Sequence, residues 1–349
     1  MRISVVLPVF NGGVTIESAI HSLSRQSRRP DQIVVVDDGS TDGTAAILRR
    51  LARRPGARMT VVSTDHRGLV PALNTGLTHA DGELIARMDA DDVSLPHRLE
   101  IQEAVCAVRP DLGVVGSAAV MPPRADNTGY RRYVDWVNGL SHWRQIRRAR
   151  FVESPLIHPT VVFRRDLTDR YGAYRQGPFP EDYELWLRWF HAGVHAASVP
   201  RVLLTWNDPP SRFSRTPTAM QSRDAFFTIK ARYLAAEVVR AAAGRDVLIW
   251  GAGRRTRRRM EPFDAALADS SLGGGHAPVR PVSAFIDLAP RDGVPFAGRR
   301  VAVIGYRELP SPDRTYVVAA VGSTGARGRI AAVLAAAGYR YERDWLAAA

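Results

Sequence analysis

The sequence predicts an α/β protein built on an open, mostly parallel sheet and followed by a second, smaller α/β unit. Three observations predict it. Short β-branched runs alternate with helical apolar stripes from the first residues onward, and the same alternation restarts at Asp246. A length of 349 residues suits about two domains of ordinary size.

Ile3 to Leu7, Ile33 to Asp37, Met59 to Ser63 and Leu84 to Met88 read as the first four strands. The segment after the first carries Ile16, Ala19, Ile20 and Leu23 at i, i+3, i+4 and i+7, one helical face behind Thr15 as its N-cap. Ile47, Leu48 and Leu51 mark the second crossover, and Leu69, Ala72, Leu73 and Leu77 the third. Parallel strands need such crossovers and are covered on both faces. In sheets of this kind ligands bind beyond the carboxyl ends of the strands. Asn11, Asp38 and Asp89 to Asp92 lie there.

From Leu112 the regularity fades. A strand is expected at Val114 to Gly116, a polar segment to Tyr130, a basic helix from His142 to Phe151 and a strand at Thr160 to Arg164. PFPEDYELWLRWFHAG then starts a helix at Glu181 and Asp182 and ends it at Gly193. Asn207 to Pro217 reads as a breaker-rich loop and Thr218 to Ala243 as a helix. Further strands follow at Val247 to Trp250, Ala284 to Asp287, Val301 to Ile304 and Tyr316 to Val321, with a helix at Ala326 to Ala337 and a glycine-rich loop at Ser270 to Pro278. The expected domains are residues 1–215, a helical linker 216–244, and residues 245–349.

Composition narrows the function classes. Hydrophobic residues make up 45% and charged residues 24%, which excludes a collagen or a disordered chain. The one cysteine, Cys106, sits in the apolar run LEIQEAVCAV and reads as a buried thiol in a reducing compartment. MRISVVLPVFNGG is too short an apolar run for a signal peptide, and no window is long enough for a membrane span, so a cytoplasmic protein is expected. The net charge of +13 rests almost wholly on arginine, Lys230 being the only lysine. These arginines are scattered and lack interleaved aromatics, so nucleic acid is not expected as a partner. Knots at Arg144 to Arg150 and Arg254 to Arg259 are solvated helix faces or contacts to phosphates and the inner membrane surface.

Two acidic clusters carry chemistry. DDGSTDGT follows the second strand; turn formation explains its glycines but not the adjacent acids Asp37 and Asp38, and a carboxylate facing the crevice can accept an N–H from a pyrimidine. Arg87-Met88-Asp89-Ala90-Asp91-Asp92 follows the fourth strand. Three acids in four residues repel one another unless donors or a cation sit among them, and Mg²⁺ or Mn²⁺ with a diphosphate is an economical answer; a surface turn is the plain one. Glu181 and Asp182 suit either a helix dipole or acid–base work.

VVLPVFN, VVVDDGSTDGT, GLVPALNTGLTHADGELIARMDADD, LPHRL and FPEDYELWLR, in this order, resemble the family 2 inverting nucleotide-sugar glycosyltransferases of GT-A fold, across Met1 to Arg215. The resemblance implies a nucleotide-sugar site of Pro8, Phe10, Asn11, Glu17, Asp38, Asn74 and Asp89, with Phe10 where tyrosine is common. It implies a Mg²⁺ or Mn²⁺ held by Asp91 with Asp89, and Asp182 as the catalytic base. His158 and Glu181 are candidates for an acceptor or phosphate contact. Trp206-Asn207-Asp208 departs from a region that often supplies a histidine, which leaves a third protein ligand open. The implied reaction moves a sugar from a nucleotide donor, a UDP-sugar first, to a hydroxyl of a glycan or lipid-linked acceptor in cell-surface polysaccharide assembly. Two other readings are a nucleotide- or membrane-binding protein without turnover, and an NAD(P)-dependent oxidoreductase acting through Gly251 and Gly253. The second is weakened by Thr256, which stands where the third glycine of a phosphate-binding turn belongs. Residues 245–349 otherwise read as a Rossmann-like scaffold or regulatory binder.

Overall fold

A computed structural model describes residues 1–123, 128–208, 217–269, 281–323 and 325–349, with the side chains of 217–224 outside the description. The loop expected at Ser270 to Pro278 falls wholly outside these residues, and that at Asn207 to Pro217 mostly so. The chain divides into two compact units, one of Met1–Arg147, Ser154–Gly177 and Glu181–Met220, the other of Arg148–Glu153, Pro178–Pro180 and Gln221–Ala349.

The first unit opens as expected: β1 (Ile3–Val9), α1 (Ile16–Ser24), β2 (Gln32–Asp38), α2 (Thr44–Ala52), β3 (Met59–Thr64), α3 (Leu69–His79) and β4 (Leu84–Arg87). It continues through β5 (Val93–Ser94), α4 (Arg98–Val108), β6 (Leu112–Val120), α5 (Thr128–Asn138), α6 (Trp143–Ala149), β7 (Val162–Arg164), α7 (Asp166–Tyr171), α8 (Glu181–His191) and β8 (His195–Thr205). The eight strands form one sheet in the order β3-β2-β1-β4-β7-β6-β8-β5. Alternate residues feed opposite faces. Val5, Leu7 and Val35 pack with Ile16, Ile20 and Leu23 of α1 and Leu48 of α2, while Val6, Val34 and Val36 pack with Leu73 of α3 and Leu185, Trp186 and Trp189 of α8. Burial on both faces is why these strands read as unbroken apolar runs.

Several expectations need correction. Thr15 precedes α1 but makes no side-chain cap; its hydroxyl turns back to the Gly12 carbonyl at 3.4 Å. The strand expected from Thr160 starts at Val162, because His158–Thr160 form a single 3-10 turn. The sheet is mostly parallel, as expected; only β7, antiparallel to β4 and β6, and β5, antiparallel to β8, run the other way. β8 escaped the sequence reading because Pro200 interrupts it. Its pairing with β6 jumps from Ser117 opposite Val199 to Ala118 opposite Val202, so Pro200 sits in a bulge, where a missing N–H is tolerated.

One detail of the sheet shapes the mouth. β4 pairs with β1 only as far as Val6 opposite Arg87, whereas β2 follows β1 to Val9 opposite Asp37. The Val6 carbonyl accepts the Met88 N–H at 3.2 Å, so the alternating backbone turns Pro8 toward the side that β4 has left. Proline has no N–H to leave unpaired there. β1 and β2 therefore run on together past the last residue of β1 that β4 pairs with.

The second unit contains α9 (Pro217–Ala242), β9 (Asp246–Trp250), α10 (Arg254–Leu267), β10 (Ala284–Asp287), β11 (Arg291–Phe296), β12 (Arg299–Gly305), β13 (Thr315–Ala319), α11 (Ala326–Ala336) and β14 (Trp345–Ala347). Its sheet has the order β11-β12-β10-β9-β13-β14, parallel except for the β11 edge. The parallel strands therefore follow the doubly wound order of a Rossmann sheet. Leu248, Ile286, Val317 and Leu334 lie in its core. Arg150, expected on a solvated basic face, is buried, 3.6 Å from Glu237 and 3.5 Å from Glu342. Cys106 is a buried free thiol, as expected.

Candidate active site

At the end of β2 the Asp38 carboxylate is buried and fully occupied. It accepts the Arg67 N–H at 2.9 Å and the Gly68 N–H at 2.8 Å, with the Thr64 hydroxyl at 3.4 Å and His66 Nδ1 at 2.8 Å. Asp38 was expected to face a pyrimidine, but in this structure it fastens the loop that enters α3. Gly39 makes that approach feasible: its φ is +74° and a Cβ there would lie 2.7 Å from the His66 nitrogen. The loop brings the His66 ring flat against Phe10, with centroids 3.9 Å apart, and Phe10 is 46% exposed at the rim. His66, silent in the sequence, thus joins the expected Phe10.

Asn11 also acts first within the protein. At φ +51° it donates its backbone N–H to Ser40 Oγ at 2.9 Å, and its side-chain carbonyl accepts the Thr41 N–H at 2.8 Å. The loops after β1 and β2 are tied together in this way. Two other expected nucleotide contacts point elsewhere. The Glu17 carboxylate pairs with Arg50 at 2.6 Å and Arg54 at 3.3 Å, bridging α1 to α2. The Asn74 amide pairs in both directions with the Tyr174 backbone, at 2.9 and 3.1 Å.

The acids after β4 cluster. One oxygen from each of Asp89, Asp91 and Asp92 lies within 4.8 Å of the others. Asp89 is paired with the buried guanidinium of Arg87, whose Nε has no partner among the described residues. Asp92 is buried as well; its Oδ1 accepts the Asn207 N–H at 2.8 Å, and its Oδ2 has no hydrogen-bond partner among the described residues. Burial first, then the neighbouring Asp89 and Asp91, push the Asp92 carboxyl well above the usual carboxylate range. The Asn207 amide nitrogen donates to the Asp91 carbonyl at 2.6 Å, so the departure at Trp206-Asn207-Asp208 serves as a backbone brace for this turn.

Glu181 and Asp182 open α8. A helix start favours ionised acids, but burial wins. Burial and then its neighbour Asp182 raise Glu181 to about 7, and burial raises Asp182 to about 6 against the opposing Tyr183 amide and Arg87 charge. His158 is buried with Nε2 2.7 Å from the Tyr174 hydroxyl and Nδ1 3.7 Å from Glu181. Burial, then the Arg87 charge, hold its imidazole neutral. Arg87 is the group common to all of them, since its charge acts on Asp89, Tyr174, His158, Glu181 and Asp182. Sequence reasoning passed over Arg87 and Tyr174; an arginine within a strand that is buried on both faces was the available signal.

Residues 4–172 match the family described as glycosyl transferase family 2. Over 205 residues the chain is 31% identical to the amylovoran biosynthesis glycosyltransferase AmsE of Erwinia amylovora, covering 58% of this chain and 74% of that protein. The chain belongs to glycosyltransferase family 2. It is also 24% identical over 237 residues to the UDP-Gal:alpha-D-GlcNAc-diphosphoundecaprenol beta-1,3-galactosyltransferase of Escherichia coli, covering 66% of this chain and 82% of that one. S. aureus TarS 1-349 in complex with UDP-GlcNAc shares the fold, with a TM-score of 0.50 at 18% identity over 77% of this chain and 72% of that chain. This glycosyltransferase has the GT-A sheet that its motifs implied. No helix among its described residues is long and apolar enough to cross a membrane.

The second unit of the glycosyltransferase bears a quieter version of the same topological place. Gly251 follows β9 at φ +121°, and a Cβ there would lie 2.9 Å from Val321 Cγ2. Thr256 turns its hydroxyl to the Ala320 carbonyl at 3.2 Å, closing the turn where the missing glycine would leave room. Asp287, at the end of β10, is matched by Arg291 at 2.8 Å.

Proposed function

We propose that this glycosyltransferase moves a sugar, with inversion, from a nucleotide-sugar donor to a hydroxyl of a glycan or lipid-linked acceptor, with Asp182 as the general base. The main support is the gathering of two acid sets about one buried cation. Asp89 to Asp92 lie at the end of β4 and Glu181 with Asp182 at the start of α8, both within the field of Arg87. A UDP-sugar is the donor of choice because the relative from Escherichia coli is a UDP-Gal galactosyltransferase and TarS forms a complex with UDP-GlcNAc. The relative's diphosphoundecaprenol acceptor supports a lipid-linked substrate and work at the inner membrane face.

The donor set also fits a divalent cation. Three carboxylates within 4.8 Å, one with a buried oxygen that has no hydrogen-bond partner among the described residues, are oxygen ligands of the kind Mg²⁺ and Mn²⁺ prefer. Asp91 with Asp89 would hold it, and when bound it would neutralise charge developing on the diphosphate. The chain's own residues do the rest. Asp182, raised to about 6, is ionised near neutrality yet basic enough to take the acceptor hydroxyl's proton. Neutral His158, held by Tyr174, flanks Glu181 without adding charge. Phe10 offers the donor base an aromatic face at the rim. Direct displacement needs one base and no protein nucleophile, so the anomeric configuration inverts. In this reading residues 1–215 carry transfer and residues 245–349 support it.

The test is Asp182→Asn with a panel of UDP-sugars and a polyprenyl-diphosphate sugar acceptor. Turnover should fall about 10²- to 10⁴-fold while calorimetric donor affinity holds. Normal turnover in the variant, or a product of retained configuration, would overturn the assignment.

A further inference from the structure

We propose that Asp92 is the third carboxylate of the cation site, joining a divalent ion held by Asp89 and Asp91 to the backbone of Asn207. The inference rests on the metal-assisted reading above and assigns a residue beyond it. Three observations carry it. Asp92 is 1% exposed, and its Oδ1 accepts the Asn207 N–H at 2.8 Å. Its Oδ2 is enclosed and has no hydrogen-bond partner among the described residues. One of its oxygens lies within 4.8 Å of an oxygen from each of Asp89 and Asp91.

A merely structural role accounts for only half of this. Holding the Asn207 amide needs one neutral acceptor, which asparagine would supply without charge. A carboxylate in the same place is enclosed beside two like charges, an arrangement that burial and repulsion both disfavour. Arg87 does not answer for it, since that guanidinium pairs with Asp89. The charge of buried Arg98 does reach Asp92, but its N–H groups are directed at the Arg87 carbonyl at 2.7 Å, Gln102 Oε1 at 3.1 Å, the Val161 carbonyl at 3.3 Å and Met88 Sδ at 3.5 Å, so it gives Oδ2 no hydrogen bond. A divalent cation removes the conflict, because it turns mutual repulsion into shared ligation and gives Oδ2 a partner. Asn207 then matters for a second reason. Its N–H fixes Asp92, and its side-chain amide fixes the Asp91 carbonyl at 2.6 Å, so the segment just after β8 orients two residues of the cluster at once.

The experiment titrates the full chain with Mn²⁺ alone, by calorimetry, in wild type, Asp92→Asn and Asp91→Ala, and records each metal-free melting temperature. Asp92→Asn keeps an acceptor for Asn207 and loses the charge. Its Mn²⁺ dissociation constant should rise about tenfold or more, with a metal-free melting temperature no lower than wild type. Unchanged Mn²⁺ affinity in Asp92→Asn beside a loss in Asp91→Ala overturns this assignment and leaves the metal-assisted reading standing. Failure of wild type to bind Mn²⁺ overturns both. If Asp92→Asn does not fold, the wild-type protein decides: adding Mg²⁺ must move the Asn207 amide resonance and spare that of Val202 farther back along β8, and a silent Asn207 overturns the proposal.

Discussion

Each of the two sheets in this chain is flanked by acids, and the two units treat those acids in opposite ways. In the second unit Asp287 is answered by Arg291, and Asp264 by the Val282 N–H at 2.7 Å and both Arg299 nitrogens at 2.9 and 3.1 Å. In the first unit Glu181 and Asp182 are half-buried and raised into the neutral range, Asp92 has an oxygen without a hydrogen-bond partner among the described residues, and one buried arginine serves several acids. A satisfied acid stabilises a fold, whereas an unsatisfied one marks the place where a ligand is to supply what the protein withholds. Position at a strand end thus nominates a residue, and its unmet hydrogen bonds decide between structure and chemistry.

The sharpest way to break this contrast is Arg87→Met. Removing the buried cation leaves several acids uncompensated, and denaturant unfolding at neutral pH should show a loss of about 3–5 kcal/mol. A loss no larger than that of a surface substitution would mean that the acids do not depend on it. Next in size, Asp264→Asn should cost about 1–3 kcal/mol, because its acceptor bonds are formed to an ionised carboxylate. Asp182→Asn should instead leave stability at pH 8 unchanged or higher. Equal losses at the two positions would erase the distinction.

The pH dependence sharpens the comparison further. Asp182 and Glu181 have folded values of about 6 and 7, above their ordinary 3.8 and 4.5, so the folded state holds protons that the unfolded chain releases. Their stabilising contribution is complete below about pH 4 and is lost as pH rises through 6 to 7. The transfer rate should run the other way, climbing over that interval as the pair ionises. A pH–rate profile compared with melting temperatures checks both slopes, and a flat rate between pH 5 and 8 would exclude Asp182 as the base. The smallest expected effect is Gly253→Ala, where a Cβ meets nothing within 4 Å. It should shift stability by less than about 0.5 kcal/mol and leave donor affinity intact. A lost nucleotide affinity would give the second unit a ligand role.

The parallel half of the first sheet was legible because β1, β2 and β4 are enclosed on both faces and the crossovers keep a helical stripe. Ile16, Ala19, Ile20 and Leu23 are all buried on α1. The acids of Asp89 to Asp92 and the pair Glu181–Asp182 were legible by their crowding. What escaped depends on partners far along the chain. Asn74 looks like a ligand contact until Tyr174 is seen across it, and Glu17 until Arg50 and Arg54 are. Asp38 reads as free to meet a base because its backbone donors, Arg67 and Gly68, carry no side-chain signal. β8 was hidden by Pro200, whose bulge a linear pattern cannot show.

The brace between Asn207 and Asp92 spans 115 positions of sequence, and that between Asn74 and Tyr174 spans 100. Contacts of such separation form late, because chain entropy must be overcome before they contribute. A nascent polypeptide emerging from the ribosome therefore displays its acidic turn well before the strand that steadies it has been synthesised. Affinity for a cation should mature with completion of that strand, and arrested chains of increasing length would register it as a step rather than a ramp.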